Sequence, residues 1–313
     1  MTDVANQEAP AERTKLVAGL VTNLLKQAGG GHRALFDQIL VPLQPKGKNP
    51  PFFCVHGDSG RSIFFSLARN LGKEQPFYAV QSVGLDGKAP PLLTIAEMAA
   101  RYIQEIRKIQ SSGPYLLGGF CMGGVVALEM AQQLQAQGAR VALVAMLDCH
   151  SPEAVQGTEK ATPYGLTTRL KEHWDNLWRL PRNELPGYFG ARVEHVSFII
   201  RRHLWELAFS FYRFIGRPLP KFLQDIRAIN NHAFFEYKPR PYKGKLALLN
   251  TEQSINRFKD PKLGWESISE DLEVFVIPGY HDAIMNEVYV KSYARALLQC
   301  IAEALRDELD AGR

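Results

Sequence analysis

One short motif, Gly119-Phe120-Cys121-Met122-Gly123, constrains the fold of this chain more than any other feature of its sequence. It follows an apolar run over 115–117 and precedes an apolar helical pattern that starts at Val125. A nucleophile elbow needs small residues around a sharp strand-to-helix turn, because the strained turn pushes one side chain out above a sheet. The motif therefore predicts a strand, an elbow and a helix, with Cys121 as the projecting nucleophile.

Short apolar segments alternate with helical patterns on both sides of this motif. Strands of this kind that alternate with helices of ten to fifteen residues indicate βαβ units and a mostly parallel sheet flanked by helices. Thr94 and Glu97 form a capping box, which predicts the start of one of these helices. The predicted strands are 39–43, 52–55, 77–80, 114–119, 141–147, 245–249 and 272–277, and the predicted helices are 62–71, 94–109, 123–136 and 285–309.

The alternation stops over about 151–237, where aromatic residues recur at helical spacing and no good strand is apparent. We interpret this segment as an insertion of helices, placed where a sheet enzyme carries a lid over its site. Residues 1–34 are predicted to form a separate polar tail and short amphipathic helix. The main domain is then 35–313, with the helical insertion inside it.

Composition excludes several classes of protein. An apolar content of 46% and a charged content of 22% are typical of a globular protein. No run approaches the roughly eighteen apolar residues of a membrane span, and no apolar signal region is present near the start, so we predict a cytoplasmic protein. Cys54 and Cys300 lie in apolar stretches and are expected to be buried, and the cysteine spacing predicts no metal site.

The net charge of +5 comes with a concentration of basic residues in the second half of the chain. A nucleic-acid-binding protein would also carry a recognisable motif, and none is present, so we predict no nucleic-acid partner. Docking of an acidic protein fits these basic residues better. They are Arg201, Arg202, His203, Lys238, Arg240, Lys243 and Lys245.

A cysteine nucleophile needs a base, and the base needs an acid to orient it. On this architecture the expected chain order is nucleophile, acid, histidine. His281 follows the last predicted strand and should therefore lie at the same edge of the sheet as Cys121. It is the favoured base. His56 and His150 also follow strand ends and remain competitors.

Two carboxylates compete for the role of the orienting acid. Asp148 directly ends the strongly apolar strand 141–147, whereas Glu252 follows the strand 245–249. We favour Asp148 because the apolar run before it is the stronger strand signal. Either residue could instead be a turn former or a helix cap.

An oxyanion hole needs two backbone donors that point to where charge develops. Met122 begins the elbow helix, where free N–H groups and the helix dipole favour negative charge. The glycines at 57 and 60 have no side chain, so the backbone of the loop after strand 52–55 can come close to the reacting group. We therefore expect the backbone N–H groups of Met122 and Asp58 to form the hole.

With these residues in place, the chain resembles the thioesterase domains of polyketide and nonribosomal peptide synthases. The resemblance implies an α/β-hydrolase fold with a helical lid, an acid at Asp148 and a histidine at His281. Cys121 stands where that family has serine. The resemblance covers about 40–302 and depends on the segments 52–57, 115–124, 147–148, 238–242, 264–265 and 278–281.

The resemblance also implies a substrate, which is an acyl chain held as a thioester on the 4'-phosphopantetheine arm of an acyl or peptidyl carrier protein. No permanently bound cofactor is implied. Trp174, Trp178, Trp205 and Phe209 are predicted to line an apolar acyl chamber, although each alone is more commonly core packing. A cysteine exchanges one thioester for another, so we expect transfer to a small-molecule amine or hydroxyl acceptor, cyclisation or hydrolysis. The alternative is a cysteine hydrolase of small esters or lactones that needs no carrier protein.

Overall fold

A computed structural model of the protein describes residues 38–60, 64–160 and 203–311. Its centre is a seven-stranded sheet with the strand order β1-β3-β2-β4-β5-β6-β7. The strands are β1 (Leu40–Gln44), β2 (Phe52–Val55), β3 (Phe77–Val80), β4 (Tyr115–Phe120), β5 (Val141–Leu147), β6 (Leu246–Thr251) and β7 (Leu272–Ile277).

Strand β1 pairs with β3 in the antiparallel sense, and every other pairing in the sheet is parallel. The carboxyl ends of β2, β4, β5, β6 and β7 therefore lie at one edge. The predicted fold class, an α/β-hydrolase with a mostly parallel sheet flanked by helices, is confirmed by this arrangement. Side chains that follow these strands share that edge, which brings distant parts of the chain together.

Helices cover both faces of the sheet. The first is α1 (Phe65–Asn70), which packs against the C-terminal helix, while α2 (Ile95–Ile106) and α3 (Met122–Ala136) pack on the opposite face. At the start of α2, the side chain of Thr94 accepts from the Glu97 N–H and the Glu97 carboxylate accepts from the Thr94 N–H. The predicted capping box is thus present. Each face of the sheet has its own apolar core, because strands buried on both sides must bury apolar side chains in both directions.

The described residues of the predicted insertion form helices joined by irregular segments, and they contain no strand. The insertion contains α4 (Pro152–Lys160), α5 (203–214), a 3-10 turn (Lys221–Leu223) and α6 (Ile226–Glu236). The chain then returns to the sheet through β6, α7 (Glu252–Phe258), β7, a second 3-10 turn (His281–Met285) and α8 (Val290–Ala311). Predictions for 1–34 and for the stretch 161–202 lie outside the described residues. Across the helices in the described part of the chain, none is both long and apolar enough to cross a membrane.

Candidate active site

Cys121 occupies a sharp turn between β4 and α3. Its backbone has φ 54° and ψ −127°, a conformation that a residue with a side chain adopts only under strain. The Cys121 N–H donates to the carbonyl oxygen of Leu147 at 3.0 Å, which holds the turn against the end of β5. The Cys121 side chain is partly exposed, whereas Cys54, Cys149 and Cys300 are buried. The elbow predicted from the sequence is therefore present, and its thiol is accessible.

The turn is possible because glycines stand on both sides of Cys121. A Cβ atom at Gly119 would collide with the backbone of Gly123 and Gly124. At Gly123 a Cβ atom would collide with the carbonyl oxygens of His56 and Val55, at the end of β2. Since neither backbone can move without disturbing the sheet, these two positions accept no side chain. The same close approach brings the start of α3 against the loop that follows β2.

Asp148 follows β5 and is fully buried at the carboxyl edge of the sheet. Its Oδ1 accepts from the N–H of Thr251 at 2.8 Å, and its Oδ2 accepts from the Ser254 hydroxyl at 2.8 Å. The Thr251 hydroxyl lies 3.1 Å from both oxygens. The Oδ2 atom is also 2.7 Å from Nδ1 of His281. This set of donors stabilises a buried carboxylate and fixes its orientation.

His281 lies at the start of the 3-10 turn after β7, with 33% of its side chain exposed. Its Nδ1 is bound to Asp148, so Nε2 is the nitrogen left for the thiol of Cys121, whose proximity is one of the causes that raise the pKa of the ring. The ring stacks on Phe120 at a centroid distance of 4.8 Å. The backbone N–H of His281 donates to the Gln253 side chain at 3.2 Å. These contacts hold the imidazole between the buried carboxylate and the thiol.

Titration of Asp148 and His281 is coupled. Burial alone lowers the pKa of His281, but the hydrogen bonds to Asp148 and Cys121, with their negative charges, outweigh it and raise the pKa to about 10. Burial likewise raises the pKa of Asp148, but the bonds from His281, Thr251 and Ser254 outweigh it and lower the pKa below 3.8. An ionised Asp148 beside a protonated His281 is thus the favoured state at neutral pH.

The other three candidates from the sequence occupy different surroundings. His56 is buried away from the acid, and burial lowers its pKa to about 4. His150 packs against Phe258 and His281 at centroid distances of 4.4 and 5.7 Å, and burial lowers its pKa to about 4. Glu252 is exposed in the first turn of α7. The structure thus bonds His281 to Asp148 and packs His150 against the His281 ring, while His56 and Glu252 make no hydrogen bond to that pair.

The two expected oxyanion donors lie on adjoining elements. Met122 is the first residue of α3, so its N–H has no partner within the helix. Asp58 lies in the loop after β2, in a turn closed by the Gly60 N–H on the Gly57 carbonyl oxygen at 3.1 Å. The Asp58 carboxylate is turned outward and pairs with Arg227 at 3.3 Å. Its charge is therefore directed towards solvent, and a hole formed by the N–H groups of Met122 and Asp58 stays a prediction.

The described part of the insertion places two of the four lid aromatics. Trp205 and Phe209 stack on each other at 4.8 Å, and Phe209 is fully buried in a small cluster with Leu219, Leu223 and Ile229. The indole N–H of Trp205 donates to the Leu223 carbonyl oxygen at 3.1 Å. Both side chains thus help to build the core of the insertion, and their contact with an acyl chain stays a prediction. Trp174 and Trp178 lie outside the described residues.

Asp148, His150 and His281 offer ligand atoms within 4.8 Å of one another, which is the spacing of a metal site. Both Asp148 oxygens already accept hydrogen bonds, and Nδ1 of His281 is one of their donors. The His150 ring is tilted by 32° from the His281 ring, with the two centroids 5.7 Å apart. The arrangement suits proton transfer to and from Cys121 better than ligation of a metal.

Thr251 and Ser254 were not identified from the sequence. Thr251 ends β6 and caps α7, where its hydroxyl accepts from the Ser254 N–H at 3.2 Å. The sequence did carry one signal for these two residues: a threonine at the end of a predicted strand, three residues before a serine, is typical of a helix cap. The contact of both with Asp148 depends on the pairing of β5 with β6, which is not a local property of the sequence.

Comparison with known proteins finds sequences similar to this chain. The family model described as the thioesterase domain matches residues 50–177. The chain is 39% identical to the malpibaldin synthetase of Mortierella alpina over 77% of its own length, but it spans 4% of that protein. It is 34% identical to the nonribosomal peptide synthetase CymA of Salinispora arenicola over 99% of its length, again spanning 4% of the relative.

Solved structures agree on the fold. The NocB thioesterase domain from the nocardicin cluster superposes with a TM-score of 0.55 at 22% identity, covering 84% of this chain and 99% of that one. The four-domain nonribosomal peptide synthetase AB3403 superposes with a TM-score of 0.57 at 22% identity, covering 89% of this chain and 21% of that one. The family model and the relatives therefore agree on a domain of one type, and the solved structures agree on its architecture.

Proposed function

We propose that the protein works as the thioesterase domains of nonribosomal peptide synthetases do, and takes an acyl chain from a carrier-protein thioester onto Cys121. It then releases the chain by transfer to an amine or hydroxyl acceptor, by cyclisation or by hydrolysis. The product belongs to polyketide or nonribosomal peptide biosynthesis, a cytoplasmic process. The observation that carries the proposal is the hydrogen bond between Asp148 and His281, together with the strained elbow that projects Cys121.

The first half-reaction follows from the charges in the site. The Cys121 thiolate attacks the carbonyl carbon of the thioester, and the resulting oxyanion is stabilised by the N–H groups of Met122 and Asp58. The carbon–sulfur bond to the phosphopantetheine arm then breaks. His281, protonated at Nε2, gives its proton to the departing thiolate, while Asp148 stabilises the imidazolium until that transfer. The products are an acyl-Cys121 thioester and a free carrier thiol.

In the second half-reaction, neutral His281 takes a proton from the acceptor as it attacks the acyl-Cys121 carbonyl. The Cys121 thiolate leaves, and the original state is restored. The first step exchanges one thioester for another and is nearly balanced in free energy, so the acyl group stays activated. An amine acceptor then competes well with water, which supports transfer as an outcome at least as readily as hydrolysis.

Charge on the surface bears on the carrier-protein partner. Two of the basic residues noted in the sequence form ion pairs within the chain, Arg240 with Glu129 at 3.3 Å and Lys245 with Glu303 at 3.4 Å. Lys238 and Lys243 are exposed beside them. An acidic carrier protein docking here would rely on these two lysines more than on the paired residues.

The decisive experiment compares an acylated carrier protein with the same acyl group on a small ester. Turnover of the carrier-bound substrate, with products identified by mass in the presence of amine and hydroxyl acceptors, supports the proposal. Release of free acid alone, with every acceptor present, overturns transfer and cyclisation. Equal turnover of the small ester and the carrier-bound substrate favours the alternative, a carrier-independent cysteine hydrolase.

A further inference from the structure

A buried polar network lies directly behind the oxyanion loop, which we define as residues 56–60. It begins at Asn230 on α6, whose side chain is 2% exposed. The Asn230 amide donates to the carbonyl oxygen of Asp58 at 2.9 Å and to the hydroxyl of Ser82 at 3.3 Å. Both amide hydrogens are therefore used. An amide on the last helix of the insertion holds the peptide unit that follows the Asp58 Cα.

The second branch of the network runs through His56. Its Nδ1 lies 2.6 Å from the carbonyl oxygen of Gly57, which can only accept, so Nδ1 must carry the proton. In the neutral ring Nε2 is then an acceptor, and the hydroxyls of Ser82 and Tyr102 lie 2.9 and 2.8 Å from it. Burial lowers the pKa of His56 to about 4, which keeps the ring neutral. Hydrogen bonds thus run from Asn230 through Ser82 and His56 to Gly57.

The two branches end on the two peptide units that flank Asp58. The Gly57 carbonyl and the Asp58 N–H belong to one peptide plane, so fixing the carbonyl fixes the direction of the N–H. The Asp58 carbonyl belongs to the next plane, which Asn230 holds directly. Any rotation of the peptide unit that carries the Asp58 N–H therefore breaks a bond of this network.

Helix α6 touches the oxyanion loop at two further points. Gly60 has φ +71°, and a Cβ atom there would lie 2.9 Å from the Ile226 side chain. Arg227 pairs with the Asp58 carboxylate at 3.3 Å, although both side chains are largely exposed and such a pair contributes little. The loop therefore rests on the first turns of α6, and the buried bonds of Asn230 are the strong part of that contact.

We propose that Asn230 is a positioning residue that sets the direction of the Asp58 oxyanion donor from the last helix of the insertion. The inference rests on the proposed function, since it assumes that Cys121 attacks a carbonyl and generates an oxyanion. It also ties the donor to the part of the fold predicted to cover the substrate. Displacement of α6 would move the donor together with the helix.

Two reactions of Cys121 can distinguish an effect of Asn230 on the oxyanion donor from general damage to the site. Acylation by a hexanoyl N-acetylcysteamine thioester forms an oxyanion and needs the Asp58 N–H. Alkylation by iodoacetamide displaces iodide at a saturated carbon, forms no oxyanion and needs only the thiolate. Because the other three cysteines are buried, mass analysis of the intact protein follows Cys121 in both reactions.

The chain supplies a matched control, because Asn231 is the next residue on the same helix and is exposed. We expect Asn230→Ala to slow acylation by about ten- to a hundredfold, since it misdirects one of two oxyanion donors, and to leave alkylation unchanged. Ser82→Ala, which removes the link between Asn230 and His56 but keeps the bond from Asn230 to the Asp58 carbonyl oxygen, should slow acylation less. Asn231→Ala should change neither rate.

Three results would overturn the inference. Acylation of Asn230→Ala and Ser82→Ala at the wild-type rate would show that the network does not set the donor. If Asn230→Ala slowed acylation and alkylation equally, Asn230 would have a structural role alone. Its thermal unfolding midpoint would then also be lower than that of the wild type. A wild-type protein that is alkylated but never acylated by any thioester would overturn the proposed function itself, and this inference with it.

Discussion

Replacing Asp148 with asparagine tests how much of the reactivity of Cys121 depends on the buried carboxylate. The amide oxygen of the variant can take the place of Oδ1 and keep the bond from the Thr251 N–H. The amide nitrogen then replaces Oδ2 and faces Nδ1 of His281 as a donor. The ring must respond by accepting at Nδ1 and carrying its proton at Nε2. In that tautomer the neutral histidine cannot accept the proton of the Cys121 thiol.

The size of the effect follows from the lost bond. A hydrogen bond to a charged group contributes about 1.5–3 kcal/mol, and about 1.4 kcal/mol is a factor of ten, so the thiolate–imidazolium pair should be about ten- to a hundredfold less populated. The wrong tautomer adds to this loss. Iodoacetamide alkylation of Cys121 at neutral pH measures the thiolate directly, without a substrate, and should slow by that factor.

Glu252→Gln is the matched control, because it makes the same chemical change at the competing acid, which is exposed on α7. Its alkylation rate should equal that of the wild type. An Asp148→Asn variant that is alkylated at the wild-type rate at neutral pH would refute the reasoning, since the pair would then form without the carboxylate. A Glu252→Gln variant as slow as Asp148→Asn would point to the wrong acid.

Three further predictions concern the elbow, the titration of His281 and the choice of nucleophile. Gly123→Ala should destabilise the protein by about 1–3 kcal/mol in urea unfolding, because its Cβ collides with the backbone at the end of β2, whereas Gly157→Ala, with open space around it, should not. The native pKa of His281, about 10, exceeds its ordinary value of 6.5, so the stability it contributes is complete below pH 6.5 and is lost as the pH rises towards 10. Thermal unfolding midpoints should therefore fall over that window in the wild type and fall less in Asp148→Asn; equal declines would contradict the coupling. Cys121→Ser should shift products from transfer towards free acid, because its oxoester intermediate is less activated than a thioester, and an unchanged product ratio would contradict that explanation.

Much of the fold could be predicted because its signals are local. The strands β2, β3, β5 and β7 were predicted with the bounds that the structure shows, since each is a short and mostly apolar run bounded by polar or turn residues. The elbow could be predicted because Gly119 and Gly123 leave space that no other residue would. The final helix begins at Val290, five residues later than the predicted 285, because the 3-10 turn that carries His281 extends to Met285.

The parts of the site that could not be predicted are contacts between distant segments. Asp148 was preferred over Glu252 on strand strength, but its bond to His281 depends on the order of strands in the sheet. Asn230 is an asparagine in a helix with no distinguishing motif around it, and its neighbour Asn231 has the same sequence character. Only the packing of α6 against the oxyanion loop separates the two residues.

The most direct test of the account is the mass of the intact protein after a brief incubation with an acylated carrier protein. The account predicts an adduct equal in mass to the acyl group, located on the peptide that contains Cys121 and missing from Cys121→Ala. An adduct that survives in Cys121→Ala, or a wild-type protein that turns over the substrate and yields acylation at another residue, would contradict it.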